Sequence, residues 1–127
     1  MTDRELLSLA REAMKNSHSP YSRFAVGAAL ECSDGEVYTG CNVENASFGA
    51  TICAETVAIV TAVARGKREF RRVAIVSDGS DYTLPCGTCR QMLQEFAPEI
   101  EILGARADGR YVSYRLRELM PFPFTLK

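Results

Sequence analysis

The sequence contains no tryptophan and one histidine, His18, and its fifteen basic residues are almost cancelled by sixteen acidic ones. With one histidine, any metal shell must draw on other donors. The near-neutral balance gives no electrostatic basis for gripping a nucleic-acid polymer. No apolar run is long enough to span a bilayer. The start, Met1-Thr2-Asp3-Arg4-Glu5, carries acidic residues where a secretory leader has basic ones, and no apolar segment follows. Repeats, low-complexity tracts and linkers are also lacking. These absences predict a cytoplasmic chain, one domain over residues 1–127, with no membrane and no nucleic-acid partner. Hydrophobic residues make up 46% of the 127, enough for a single buried core.

Cysteine is what the chain does have. There are five: Cys32, Cys41, Cys53, Cys86 and Cys89. An odd count in a reducing compartment argues against a disulfide framework and for metal binding or catalysis by a clustered subset.

The hydrophobic pattern predicts the order helix, hairpin, helix, strand, helix, strand, strand. Thr2 and Glu5 form a capping-box pattern ahead of Leu6, Leu9, Ala10 and Ala13 at helical spacing. Phe24 to Cys32 and Glu36 to Cys41 read as a hairpin around Ser33-Asp34-Gly35. Asn42 to Ile52 is loop-like in composition. Cys53 to Arg65 suits a helix, with Ala54, Val57, Ala58 and Val60-Thr61 on or near its buried stripe and Gly66 as its stop. Val73 to Ser77 is a short buried-strand run, and Cys86 to Phe96 a helix behind Pro85. Ile100 to Gly104 and Arg110 to Tyr114 complete the strands, with a short helix from Arg115 to Met120. Helices alternating with buried strands imply a layered α/β domain on a mixed sheet.

Two segments carry the chemistry: Cys53-Ala54-Glu55 and Pro85-Cys86-Gly87-Thr88-Cys89. Each stands at a predicted helix start. Cys86 and Cys89 are three apart, so one helical turn can present both sulfurs to one ion, and Cys53 can add a third thiolate. Zinc with three protein ligands and an open position for water is the catalytic arrangement; structural sites are closed by four. Helix N-termini favour thiolates over thiols. Three thiolates on one divalent ion leave a net charge of about −1, which must be offset by nearby donors. Glu55, two residues after Cys53, points to another side of the helix and suits a proton shuttle over the open position. This pattern resembles the zinc nucleobase-deaminase signature in its all-cysteine form.

Further segments extend the match: Pro20-Tyr21-Ser22-Arg23-Phe24-Ala25-Val26-Gly27-Ala28-Ala29-Leu30, Gly40-Cys41-Asn42-Val43-Glu44-Asn45-Ala46, Cys89-Arg90-Gln91 and Glu118-Leu119-Met120-Pro121. From Pro20 almost to its end the sequence resembles the short, homotetrameric, zinc-dependent cytidine deaminases. The resemblance implies a three-layer α/β/α sandwich with a mixed five-stranded sheet, Zn2+ as cofactor, and conversion of cytidine and deoxycytidine to uridine and deoxyuridine. It implies metal ligation by Cys53, Cys86 and Cys89 and proton transfer by Glu55, which would also bond the ring N3. It places Phe24 against the nucleoside, Asn42 and Glu44 on the ribose hydroxyls, the Ala54 N–H on the base carbonyl and the Leu84 carbonyl on the exocyclic amine. Phe124 would reach a neighbouring subunit's pocket, so active sites would be shared in the tetramer. Many relatives carry Arg after the Cys-Ala-Glu motif; here the residue is Thr56. Blasticidin-type deaminases share the zinc motifs and are an alternative substrate class. A non-catalytic zinc-stabilised domain, its shell closed by Cys32 or Cys41, is the rival from outside enzymology.

Overall fold

The computed structural model describes residues 1–126. A five-stranded sheet in the order β2-β1-β3-β4-β5 runs through the middle, built from β1 (Val26–Cys32), β2 (Val37–Cys41), β3 (Phe70–Ser77), β4 (Glu101–Ala105) and β5 (Tyr111–Arg115). The β3–β4 pair is parallel, and the other three pairings are antiparallel. The sheet is therefore mixed, with its one parallel pair formed across the crossover that contains a helix.

Both faces of the central strands are buried, which explains their unbroken apolar runs. Ala28, Leu30, Val73, Ile75 and Ile102 point to one side, where they pack with Ala54, Ala58, Ile59, Ala62 and Leu93. The alternating residues Ala29, Ala74, Val76, Leu103 and Ala105 point to the other, against Leu6, Leu7 and Ala10. The first face is covered by α2 (Ala54–Ala64) and α3 (Gly87–Phe96), with the short α4 (Leu116–Leu119) beside them; α1 (Asp3–Met14) covers the second. Three layers, helix, sheet and helix, result.

The Thr2 cap is present: its hydroxyl oxygen accepts from the Glu5 N–H at 3.1 Å. The inward face of α1 is Leu6, Leu7 and Ala10; Leu9 stays partly exposed, because the sheet meets the helix one position round from the stripe drawn through Leu9. In α2, Ile59 is buried and Val60 is not. That helix is apolar nearly all round, so periodicity could not choose between the two. The strand predicted from Val73 starts at Phe70, drawn out by pairing with Glu31 and Cys32 of β1.

Gly40 of β2 brings α2 close. A Cβ there would lie 2.5 Å from the Ala54 carbonyl oxygen, so only glycine lets the first turn of α2 rest on the strand. This contact seats the end of α2 that bears Cys53 and Glu55.

Candidate metal centre and active site

The site lies beyond the carboxyl ends of the parallel strands, the usual ligand position in open α/β sheets. Cys53 is the N-cap of α2 and Cys86 the N-cap of α3; both have extended backbone, and neither side chain caps its own helix. Ser, Thr, Asp and Asn are the residues that stabilise this position. Cysteine forgoes that bond and leaves the sulfur free to face its counterpart. Cys89 follows on the first turn of α3.

The Cys53 and Cys86 sulfurs are 3.7 Å apart, and all three sulfurs lie within 4.8 Å of one another. Zinc–sulfur bonds of about 2.3 Å in a tetrahedron put sulfurs about 3.8 Å apart, so the soft, three-sulfur donor set fits zinc. Among the described residues, no fourth His, Cys, Asp or Glu ligand atom joins this group. Cys32 ends β1 at the opposite end of the strands, paired with Phe70. Cys41 pairs with Gly27, which faces α1. Neither is placed to close the shell.

Glu55 is 5% exposed. Burial, its largest influence, raises its pKa above the ordinary carboxylate range, against the lowering effects of its own N–H and the Cys89 side chain. The Cys89 thiol is likewise pushed far up, first by its hydrogen bond with Cys53, then by burial and the Glu55 charge. A divalent cation reverses that order, because a coordinating thiol is deprotonated outright. Sequence reasoning about charge noted Thr56 without finding its contact: its Oγ1 lies 3.3 Å from the Cys89 sulfur.

Of the substrate-binding candidates, Phe24 and Leu84 share one groove, Asn42 and Glu44 brace the segment that carries Phe24, and Ala54 opens the helix after Cys53. Phe24, 42% exposed, lines an open groove with Gly79, Tyr82 and Leu84, and Leu84 stands two residues before Cys86. The Asn42 side chain is nearly buried. Its Oδ1 accepts from the Val26 N–H at 3.0 Å and from the Ser17 hydroxyl, and its Nδ2 donates to the Phe24 carbonyl at 2.7 Å. One Nδ2 hydrogen is left for a ligand. Glu44 accepts from the N–H groups of Tyr21 and Ser22, at 3.0 and 3.1 Å, and from the Ser22 hydroxyl. The Ser22 hydroxyl bond, first among these, holds its carboxyl below the ordinary range. The Ser22 hydroxyl oxygen accepts in turn from the Phe24 N–H at 3.0 Å, and Arg23 between them has φ 57°. Asn42 and Glu44 thus hold the turn that presents the Phe24 ring. Ala54 is fully buried at the first position of α2, where a backbone N–H has no partner inside the helix.

Phe124 is not among them. Within one chain it lies with Gln94 and Glu95 of α3 and Pro98, apart from the Phe24 groove, and its carbonyl accepts from Gln91 Nε2 at 3.1 Å. Arg90, next to Cys89, has a part that its motif does not reveal. Its guanidinium donates to the carbonyls of Pro85 and Leu119, both at 2.7 Å, and so ties the Cys86 turn to α4.

Fold and site together define a zinc enzyme of the α/β class. The family model "Cytidine and deoxycytidylate deaminase zinc-binding region" matches residues 1–104, and the chain belongs to that family. It is 40% identical to the cytidine deaminase of Halalkalibacterium halodurans, over 97% of this chain and 95% of that protein. The crystal structure of cytidine deaminase from Burkholderia pseudomallei superposes with a TM-score of 0.95 at 40% identity, covering 98% of this chain and all of that one. A blasticidin-S deaminase of Bacillus cereus is 30% identical over 97% of this chain and 92% of that protein.

Proposed function

We propose that this chain hydrolyses the C4 amino group of cytidine and deoxycytidine, yielding uridine or deoxyuridine and ammonia, as a step of pyrimidine salvage. The observation that carries the reading is the buried Glu55 carboxyl beside three sulfurs at zinc spacing. Zinc held by Cys53, Cys86 and Cys89 would supply Lewis acidity toward a water molecule.

The residues of the chain divide the remaining work. Glu55 takes a proton from the attacking water and gives it to the ring N3, then assists the departing amine. Burial suits it to this, since a raised pKa makes the carboxylate a stronger base toward the proton of water. The Ala54 N–H binds the base carbonyl, and the Leu84 carbonyl accepts from the exocyclic amine. Phe24 packs on the nucleoside. The spare Nδ2 hydrogen of Asn42 and the Oε2 atom of Glu44 meet the sugar hydroxyls.

The same reading covers assembly. Phe48 is 74% exposed and Phe124 67% exposed, and apolar rings of this kind favour burial against other copies of the chain. A homotetramer in which Phe124 enters a neighbour's pocket accounts for them. Residues 1–127 act as one catalytic domain. No helix among the described residues is long and apolar enough to cross a membrane.

The test is a panel of cytidine, deoxycytidine and blasticidin S, followed by ultraviolet absorbance and released ammonia, with zinc content measured alongside. The expected result is turnover of the first two by zinc-loaded protein. Zinc-loaded protein that leaves both intact refutes the reading. Selective turnover of blasticidin S instead transfers the site to the class represented by the Bacillus cereus relative.

A further inference from the structure

We propose that Thr56 is a positioning residue of the metal shell: its hydroxyl donates a hydrogen bond to the Cys89 thiolate and takes up part of the shell's surplus negative charge. The proposal rests on the zinc reading of the site. Thr56 is the third residue of α2, and Cys89 the third of α3. Their 3.3 Å contact therefore joins the first turns of the two helices that carry all three sulfurs.

The direction of this bond follows from the chemistry of the sulfur. A hydroxyl both donates and accepts, and a thiol can do either weakly. A thiolate has no hydrogen to give. Ligation therefore leaves the threonine as the donor, and the bond becomes a charge-assisted one.

Burial identifies Cys89 as the sulfur that needs help. It is 1% exposed, whereas Cys86 is exposed and Cys53 half-buried. Water can stabilise the charge on Cys86 but not on Cys89. The adjacent cation does not answer it, since Arg90 directs its guanidinium to the Pro85 and Leu119 carbonyls. Thr56 is the hydroxyl within reach of the buried sulfur.

The experiment compares Thr56→Val, which keeps the shape and removes the O–H, with Thr56→Ser, which keeps the O–H. Thr56→Ala repeats the deletion with neither γ-methyl group, in case valine disturbs packing. Chelator competition on the assembled protein gives zinc affinity, and the cadmium NMR shift of the cadmium-substituted protein reports electron density on the sulfurs. The Val and Ala variants are expected to bind zinc about tenfold more weakly and to move the cadmium resonance; Ser is expected to retain both wild-type values. A zinc-binding wild type whose Val and Ala variants match it in affinity and cadmium shift overturns this proposal alone. A wild type that takes up no zinc overturns the zinc reading, and this proposal with it.

Discussion

The two ends of the sheet bury ionisable groups in opposite ways. At the amino ends of β3 and β4, Arg72 lies between two carboxylates. Its Nε donates to Glu31 at 2.8 Å, Nη1 to Asp3, and Nη2 to the Met1 carbonyl at 2.7 Å. The Glu31 side chain is 3% exposed and that of Arg72 12%, yet each charge there has an opposite partner. At the carboxyl ends, Glu55 is buried as deeply with no cation among the described residues acting on it, and three thiols converge on one point. The paired end joins the chain terminus and α1 to the sheet. The unpaired end stays costly until a cation arrives, and perturbed groups of that kind mark functional sites.

The sharpest way to break the contrast is Glu55→Gln. Zinc content should be unchanged, while kcat for cytidine falls by about a thousandfold or more. A variant that keeps most of its activity removes Glu55 from the proton path. The same substitution has a pH signature in zinc-free protein. A folded-state pKa above the ordinary 4.5 means that the native state binds the extra proton. Stability should then fall as pH rises from about 4.5 through the raised pKa. In Glu55→Gln that part of the slope should vanish in urea titrations across pH.

At the paired end, Arg72→Ala leaves Glu31 buried without its cation and should cost about 3 kcal/mol of unfolding free energy. Zinc stoichiometry should remain that of the wild type. The sign of the acid response also distinguishes this end. Arg72 holds the Glu31 carboxyl below 4.5, so its contribution is present above that pH and is lost as pH falls through the lowered value. Chemical unfolding at neutral and acidic pH checks both points. An unchanged midpoint would remove the contrast between the ends.

The smallest expected effect concerns the wall of the groove. A Cβ on Gly79 would lie 2.8 Å from Phe24 Cε1, so Gly79→Ala must displace the ring. KM for cytidine should rise by roughly tenfold with kcat largely kept. Steady-state kinetics separates the two, and a fall in kcat with unchanged KM would take Phe24 out of substrate binding.

Much of this was legible in the residues because the local signals agree. The strands are continuous apolar runs, the helices carry caps and stops, and the two zinc segments stand at helix starts. Even the broken rule was readable, since cysteine at both N-caps replaces the side chains that would stabilise them. Other features escaped. Leu7 and Leu9, like Ile59 and Val60, are equivalent by type, and only the packed sheet separates them. The role of Arg72 is not readable locally, because its partners Asp3 and Glu31 lie far away in sequence. Asn42 and Glu44 were matched to ligand roles by resemblance, but their work in holding the turn before Phe24 depends on contacts across some twenty positions. Phe124 lies beside Gln94, Glu95 and Pro98, away from the Phe24 groove, and no local pattern announces that position.

Residue chemistry and spacing pointed to a thiolate-held metal, because Cys53 and Glu55 at one helix start and Cys86 and Cys89 at another suit an open zinc shell; the class of reaction came from the wider resemblance to the cytidine deaminases. Tertiary structure decided which groups face those sulfurs. The Thr56 contact, the isolation of Glu55 and the placing of Cys32 and Cys41 away from the shell all arise where distant segments meet. Burial and partnership belong to the packed chain, and no local pattern encodes them.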